Sequence, residues 1–336
     1  MDPLAQGLAG AALAGSCSRD KEEARRSLFV GFAAGLVADL DVFIRSSEDP
    51  LLRLEFHRQF THSILFIPVG SLFAATVLWL FLRKKTSFRR IWTFATLGYG
   101  THGLIDACTS YGTYLLWPFS DMRVAWNNVA IIDPVFSLGI LVLLLLAFFK
   151  RNRRLARCGL AFGLAWLLLG VVQRERAEKA ARELAAGRGH LIQRLVVKPS
   201  IFNNLLWRST YLSDGRIHAD AIRLRLFSGP SIHEGGSVPL LDWEELAASY
   251  GVESRAYRDA RRFAHFSDGF VGRKPGQPEV IGDFRYALLP NKLDPVWGIR
   301  LDPENPEGPI AFENYRVVDA AAWDAFWDML WGEGSP

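Results

Sequence analysis

The sequence predicts an α-helical multi-span membrane domain followed by a soluble α+β domain. Half of the 336 residues are hydrophobic although 22% are charged, an average that indicates two unlike parts. Residues 1–173 carry nearly all of the long apolar runs, whereas residues 174–336 have the mixed composition of a water-soluble chain. A chain of this length is enough for about two domains.

Six apolar segments in the first half are the predicted spans. They are Leu4–Ser16, Ser27–Phe43, His62–Leu82, Ile91–Ala107, Val129–Phe149 and Leu155–Gln173. A spanning helix needs about 20 mostly apolar residues, and the third and fifth segments meet this requirement most clearly. The first two segments are rich in Gly and Ala, which favours close packing of helices. Four or five spans are the alternatives to six.

Basic residues between these segments predict the orientation of the chain. Three loops are rich in them and contain Arg19, Lys21, Arg25 and Arg26, then Arg83, Lys84, Lys85, Arg89 and Arg90, then Lys150, Arg151, Arg153 and Arg154. The alternate loops hold only Arg45, Arg53 and Arg58, and Arg123. Because positive residues mark the cytoplasmic side, both ends of the chain are expected to face outward.

The second half is predicted to begin with a charged helical connector, residues 174–189, and to continue as an extracytoplasmic α+β domain, residues 190–336. Runs of β-formers bounded by turn signals predict strands at Leu191–Val197, Leu205–Leu212, Ile217–Leu226, Phe284–Leu288 and Val296–Leu301. Helices are predicted at Asp242–Tyr250, Glu253–Phe263 and Ala320–Trp331.

Charge and cysteine content exclude two classes of function. The net charge is +4, but much of the basic charge lies in the short loops where membrane topology requires it, so no nucleic-acid partner is predicted. The cysteines, Cys17, Cys108 and Cys158, are widely spaced and form no CxxC pair, which argues against a disulfide framework and against a cysteine zinc site.

Ionisable side chains interrupt the apolar half. Burying an Asp near the bilayer centre costs about 2.5–3.5 kcal/mol on insertion scales, so such residues point to function. They are Asp39, Asp41, His57, His62, His102, Asp106 and Asp133. In the topology deduced from Lys and Arg alone, all of them fall at the outer boundary of the membrane. The agreement predicts a common site on that side.

Spacing and residue type then indicate a metal. His102 and Asp106 are four residues apart and share a helix face, so they could bind one metal, or Asp106 could orient His102. Nitrogen and carboxylate ligands without thiolate suit zinc, manganese or iron(II), and such a metal lowers the pKa of bound water for hydrolysis. The alternative for any single Asp or His is a helix cap or an interfacial anchor, and Asp133-Pro134 is a common helix start.

The stretches that carry these residues resemble a known family. "MDPLAQGLAGAALAG", "VADLDVF", "HRQFTHS", "THGLIDACTSYGTYLLWPFSD" and "IIDPVF" look like the YdjM family of predicted inner-membrane, metal-dependent hydrolases. "KPSIFNNLLWR" and "HFSDGF…DFRYALLP" look like its C-terminal part. The resemblance implies a membrane-bound hydrolase that uses the six positions from Asp39 to Asp106. One departure is Gln6, where the family often has a His.

The function predicted on this basis is hydrolysis of an ester or phosphoester in a lipid or lipid-linked substrate at the outer boundary of a bacterial inner membrane. His57, His62, His102 and Asp106 would hold one or two divalent metals, with zinc favoured, and Asp39 or Asp41 would complete the shell or act as general base. The first alternative is a non-catalytic membrane scaffold or regulator with a structural or vestigial metal site. A transporter with a proton relay is the second, although the expected midplane site and repeat are missing from the sequence.

Overall fold

Helices form the chain up to residue 187 and strands dominate the remainder. The computed structural model describes residues 1–316 and 319–332, so the end of the predicted 190–336 domain lies outside the described residues. The chain divides into two compact units. The first comprises Met1–Ile44, Phe56–Val172 and Ile201–Asn204, and the second comprises Arg45–Glu55, Gln173–Ser200 and Leu205–Pro336.

The helical part contains seven α-helices and short 3₁₀ helices between them. The α-helices are α1 (Pro3–Ser16), α2 (Lys21–Gly35), α3 (Leu52–Phe56), α4 (Ile67–Leu82), α5 (Phe88–Cys108), α6 (Pro134–Lys150) and α7 (Arg153–Gly187). The 3₁₀ helices cover Val37–Phe43, Phe60–His62 and Ile64–Phe66. Aspartates start three of the α-helices, because Asp2, Asp20 and Asp133 each accept a backbone N–H of the first turn.

Two helical stretches in the described ranges are both long and apolar enough to cross a bilayer, Ile64–Leu82 and Arg153–Gly187, and α6 is a shorter apolar helix. Large apolar side chains on α4, α6 and α7 point outward, with Phe73 56%, Leu138 56% and Leu168 66% exposed. Each of the six predicted spans overlaps an α-helix of the structure. Of these helical stretches in the described residues, two have the length and hydropathy needed to cross a bilayer.

Glycines allow α1, α2 and α5 to pack with their backbones in contact. A Cβ atom at Gly10 would lie 2.5 Å from the carbonyl oxygen of Gly31, and one at Gly98 would lie 2.4 Å from the same oxygen. Neither position can accept a side chain without moving a helix, since both distances are far below van der Waals contact. The close approach brings together the helix ends that carry the polar residues described below.

The second unit contains two four-stranded antiparallel sheets, each in sequential order. The first has β1 (Arg194–Pro199), β2 (Leu206–Ser213), β3 (Arg216–Leu224) and β4 (Pro230–Pro239), and the second has β5 (Val271–Lys274), β6 (Gln277–Asp283), β7 (Trp297–Arg300) and β8 (Ala311–Asn314). Helices α8 (Trp243–Tyr250), α9 (Arg255–Phe266) and α10 (Ala320–Trp331) complete it. Ala177 and Ala181 of α7 pack on Trp207 and Ile222 of the first sheet.

The strand predicted at Phe284–Leu288 is wrong, and four strands, β4, β5, β6 and β8, were not predicted. β6 ends at Asp283, and the following residues turn away because the Asp283 carboxylate binds both the backbone N–H and the side chain of Arg285. The unpredicted β4 contains two glycines and begins and ends with proline, while β5 and β8 have four residues each. Such compositions and lengths give weak strand signals.

Candidate metal centre

Three separate segments of the first unit deliver polar side chains to one buried place. His102 and Asp106 lie one turn apart on α5, His62 lies on the short 3₁₀ helix that precedes α4, and Asp39 lies on the 3₁₀ helix that follows α2. One donor atom from each of these four residues lies within 4.8 Å of all the others. The side chains of the two histidines and of Asp106 are fully buried, and that of Asp39 is 25% exposed.

The two imidazole rings aim the same nitrogen at each other. His62 Nε2 and His102 Nε2 are 2.9 Å apart. His102 Nδ1 lies 2.6 Å from the carbonyl oxygen of Gly35, which can only accept, so Nδ1 carries the hydrogen. His62 Nδ1 lies 2.9 Å from Thr61 Oγ1, whose own hydrogen goes to Asp41, so this Nδ1 also donates.

Each neutral ring therefore presents an Nε2 lone pair to the other ring. Two lone pairs 2.9 Å apart repel unless a proton or a metal cation lies between them. The arrangement is the one that metal-binding histidines adopt, since their second nitrogen usually donates to a carbonyl or carboxylate. The ring orientations thus fit a cation at the four-residue group.

Distances between the donors support the same conclusion. Asp39 Oδ1 lies 3.3 Å from His102 Nε2 and 3.5 Å from His62 Nε2, and Asp106 Oδ2 lies 3.2 Å from His62 Nε2 and 3.8 Å from His102 Nε2. Tetrahedral zinc with ligand bonds of about 2.0–2.1 Å separates its donors by about 3.3–3.4 Å. Asp106 Oδ2 is buried and accepts no hydrogen bond of normal geometry among the described residues, although Arg58 Nε lies 3.1 Å from it. The residues present therefore fit a divalent metal.

Asp41 lies behind this group and orients it. Its Oδ1 accepts from His57 Nδ1 at 2.8 Å, and its Oδ2 accepts from Thr61 Oγ1 at 2.7 Å and from the backbone N–H of Arg58 at 3.1 Å. Asp39, Asp41 and His57 form a second, more exposed group in which donor atoms again lie within 4.8 Å of one another. His57 thus lies beside Asp41 rather than among the four buried donors, and Asp39 is among them.

Two further side chains contact Asp106 and were not predicted to do so. Gln6 Nε2 donates to Asp106 Oδ1 at 2.7 Å, and Arg58 Nε lies 3.1 Å from Asp106 Oδ2. The amino group of Met1 also pairs with Asp106. Gln6 therefore holds Asp106 through its NH₂ group, while its Oε1 is buried without a hydrogen-bond partner among the described residues. The sequence signal that could have revealed Arg58 is an arginine directly after His57 in "HRQFTHS".

Asp133 has a different role from the other acidic residues of this half. Its carboxylate accepts from the backbone N–H of Phe136 at 3.0 Å and from Trp166 Nε1 at 2.8 Å. It therefore starts α6 and ties this helix to α7, which is the helix-start alternative considered from the sequence.

A small cavity adjoins His62. Ile64, Ile67, Leu104 and Leu115 are among the residues that line it, and the hydroxyl of Tyr99, another lining residue, donates to the carbonyl oxygen of Thr61 at 2.6 Å. Gly103 also lines it, and a Cβ there would lie 2.2 Å from the His62 carbonyl oxygen. The cavity has room for about one water molecule.

The fold and the site define a membrane-family protein in which helices with apolar outer faces enclose a buried His/Asp group able to hold a metal ion. The comparisons with known proteins name the family. A family model described as YdjM inner membrane protein matches residues 1–177, so the chain belongs to the YdjM inner membrane protein family and the resemblance seen in the sequence is confirmed.

Two curated relatives match shorter regions. The chain is 27% identical over 115 residues to the uncharacterized protein YfhP of Bacillus subtilis, covering 34% of this chain and 35% of that protein. It is 31% identical over 103 residues to the inner membrane protein YbcI of Escherichia coli, covering 29% of this chain and 57% of that protein. The match therefore spans about a third of one relative and just over half of the other. No solved structure matches the chain.

Proposed function

We propose that the chain is a multi-span membrane hydrolase that cleaves an ester or phosphoester bond in a lipid or lipid-linked substrate at a buried metal centre. The observation that carries the proposal is the pair of Nε2 atoms, 2.9 Å apart, with carboxylate oxygens of Asp39 and Asp106 around them. Burying these four side chains without a function would cost folding free energy, since each ionised carboxylate loses its hydration in an apolar interior.

Zinc is the metal we propose, because two imidazoles and two carboxylates without thiolate suit it. When bound, such a metal acts as a Lewis acid and lowers the pKa of its water. The protein supplies the rest of the chemistry. Asp41 accepts the Nδ1–H of His57 and so leaves His57 Nε2 available to take up a proton. The His57 side chain is 22% exposed, which gives it access to a substrate that the buried histidines lack.

We further propose the topology that the loop charges predict. Residues 1–173 form the membrane domain with about six spans, residues 174–189 a connector, and residues 190–336 a domain on the outer side of the inner membrane. The outward-facing apolar side chains of α4, α6 and α7 support insertion of these helices in lipid.

Metal analysis of purified protein tests the proposal most directly. We expect about one zinc per chain in the wild type and loss of that zinc in His102→Ala, because His102 provides one of four donors. The matched control is His265→Ala, which changes an exposed histidine of the second unit. Wild-type protein should hydrolyse at least one member of a panel of lipid esters and phosphoesters, and His57→Ala should lose activity while keeping its metal. Equal metal content in wild type and His102→Ala would refute the site.

A non-catalytic scaffold with a structural metal is the second candidate. It is favoured by the contacts of Asp106, whose Oδ1 is already held by Gln6 and whose Oδ2 lies against Arg58. Stoichiometric zinc in wild-type protein together with no hydrolysis across the substrate panel would support the scaffold over the hydrolase.

A further inference from the structure

The second unit carries an exposed surface on which arginines and large apolar side chains lie side by side. It comprises the half-buried Arg176 of α7 and Arg223 of β3, the exposed Arg225, Leu226 and Phe227 of the β3–β4 loop, and Trp331 at the end of α10, and is here called the arginine–aromatic patch. Phe227 is 100% exposed, Trp331 59% and Leu226 52%. Full exposure of a phenylalanine beside further apolar groups indicates a binding surface.

Hydrogen bonds hold the members of the patch together. Arg225 Nη2 donates to the carbonyl oxygen of Trp331 at 3.1 Å, which joins the loop to α10. Arg176 Nη2 donates to the carbonyl oxygen of Ser228 at 2.9 Å, which joins the same loop to α7. The Trp331 ring stacks on Trp327, with centroids 6.4 Å apart. The patch is thus a defined surface instead of a single loose loop.

The patch lies next to the point on α7 at which the apolar sequence ends. Gln173 is the last residue of the predicted sixth span, and its Nε2 donates to the carbonyl oxygen of Leu224 at 3.4 Å. Arg176 follows less than one turn later. If α7 spans the bilayer, as proposed above, the β3–β4 loop is held at the depth of the membrane–water interface. Tryptophan and phenylalanine with arginine are the side chains that favour this depth.

The charge of the arginine–aromatic patch indicates which kind of surface it binds. In the part of the chain that the structure describes, no carboxylate forms an ion pair with Arg176, Arg223 or Arg225. Burial lowers the pKa of Arg223, and the positive charge of the neighbouring Arg225 lowers it further. Anionic phospholipid headgroups would supply these counter-charges, since arginines close to a membrane attract acidic lipids.

We propose that the arginine–aromatic patch docks the second unit on the surface of the bilayer, with Phe227 and Trp331 in the interfacial layer and the arginines on anionic headgroups. The docking goes beyond the proposed hydrolase activity and rests only on insertion of α7. A second copy of the chain or a protein partner on this surface is the competing occupant, and the test separates these from lipid.

The test uses the full chain reconstituted in vesicles, with Cys17, Cys108 and Cys158 replaced by alanine. Phe227→Cys is labelled with an environment-sensitive fluorophore, and Val252→Cys, 55% exposed on another loop of the same unit, is the matched control. Vesicles of phosphatidylcholine and phosphatidylglycerol contain a lipid with a headgroup nitroxide quencher. We expect the label at position 227 to lose about half of its emission and the label at position 252 to change little.

Two further results decide between the occupants. Arg176→Glu with Arg225→Glu should reduce the quenching at position 227 about twofold, and omission of phosphatidylglycerol should have a similar effect. Equal quenching at positions 227 and 252 would overturn the proposal. A blue-shifted but unquenched label at position 227 would also overturn it, because that result indicates a protein occupant. Vesicle flotation of the same samples reports insertion of the chain in the bilayer. A protein that floats with the vesicles but carries an unquenched label would refute docking of the patch while leaving membrane insertion intact.

Discussion

Gly103 provides the sharpest test of the metal centre, because it lets the segment that carries His62 pass against α5. A Cβ atom at Gly103 would lie 2.2 Å from the carbonyl oxygen of His62. Even close carbon–oxygen contacts in proteins keep about 3.3–3.6 Å, so Gly103→Ala requires the two backbones to separate by about 1 Å. Metal donors have to stay within about 0.2 Å of their positions.

The expected loss of affinity follows from this displacement. Removal of a group that only orients a ligand lowers metal affinity about 10–100-fold, and a shifted His62 loses at least as much. We therefore expect Gly103→Ala to bind zinc about 10–100-fold more weakly, which is about 1.4–2.7 kcal/mol. The protein should still fold, since alanine is the best helix former.

Competition with a chromogenic zinc chelator on purified protein measures the effect, and Gly100→Ala is the matched control. Gly100 lies on the same helix, but a Cβ there would meet Ile67 at 3.8 Å, an ordinary contact. Both variants gain the same helix propensity, so a difference between them reports the contact with His62. Wild-type affinity in Gly103→Ala would refute the proposed arrangement of His62 and α5.

Three further predictions concern the site and the second unit. Purified wild-type protein should contain about one metal and not two, because both oxygens of Asp41 already accept hydrogen bonds, and plasma mass spectrometry measures the ratio. Burial lowers the pKa of Lys198 well below its usual range, so the ammonium group of Lys198 holds its proton less tightly in the folded state than in the unfolded state. The free energy of unfolding therefore falls as pH drops below the ordinary lysine pKa. Lys198→Met should therefore stabilise the second unit at pH 7 by about 1–4 kcal/mol, with a smaller gain near pH 10 in thermal unfolding, and an unchanged melting temperature at pH 7 would contradict this. Arg262 binds Asp49, Glu55 and Asp259, so Arg262→Ala should speed tryptic cleavage at Arg53, and equal cleavage rates would show that these ion pairs do not hold the segment.

The sequence predicted the parts of the site that depend on regular α-helix geometry. His102 and Asp106 share a face of α5 because residues four apart on an α-helix do so. The placement of Asp39 and Asp41 could not be predicted in this way, because α2 ends at Gly35 and a 3₁₀ helix begins at Val37. With three residues per turn, Asp39 and Asp41 point to different neighbours than they would on an α-helix. The structure places Asp39 with the buried donors and His57 beside Asp41.

In the second unit, local signals were sufficient for strands with continuous β-formers and failed where tertiary contacts decide. Trp207, Tyr211 and Ile222 lie fully buried in strands that the sequence predicts. The stretch after Asp283 has equally apolar residues, yet it leaves the sheet because the Asp283 carboxylate binds Arg285. A side-chain pair that redirects the backbone is invisible to a pattern of apolar residues.

The contacts of Asp41 also explain why two groups of potential ligands need not hold two metals. Its Oδ1 accepts from His57, and its Oδ2 accepts from Thr61 and from the Arg58 backbone. A second cation beside His57 and Asp39 would have to break these bonds, and it would release His62, whose Nδ1 depends on Thr61 and Asp41 for its orientation. Occupation of the outer group would therefore weaken the inner one. The arrangement favours a single buried metal, with Asp41 and His57 serving as its orienting and proton-accepting partners.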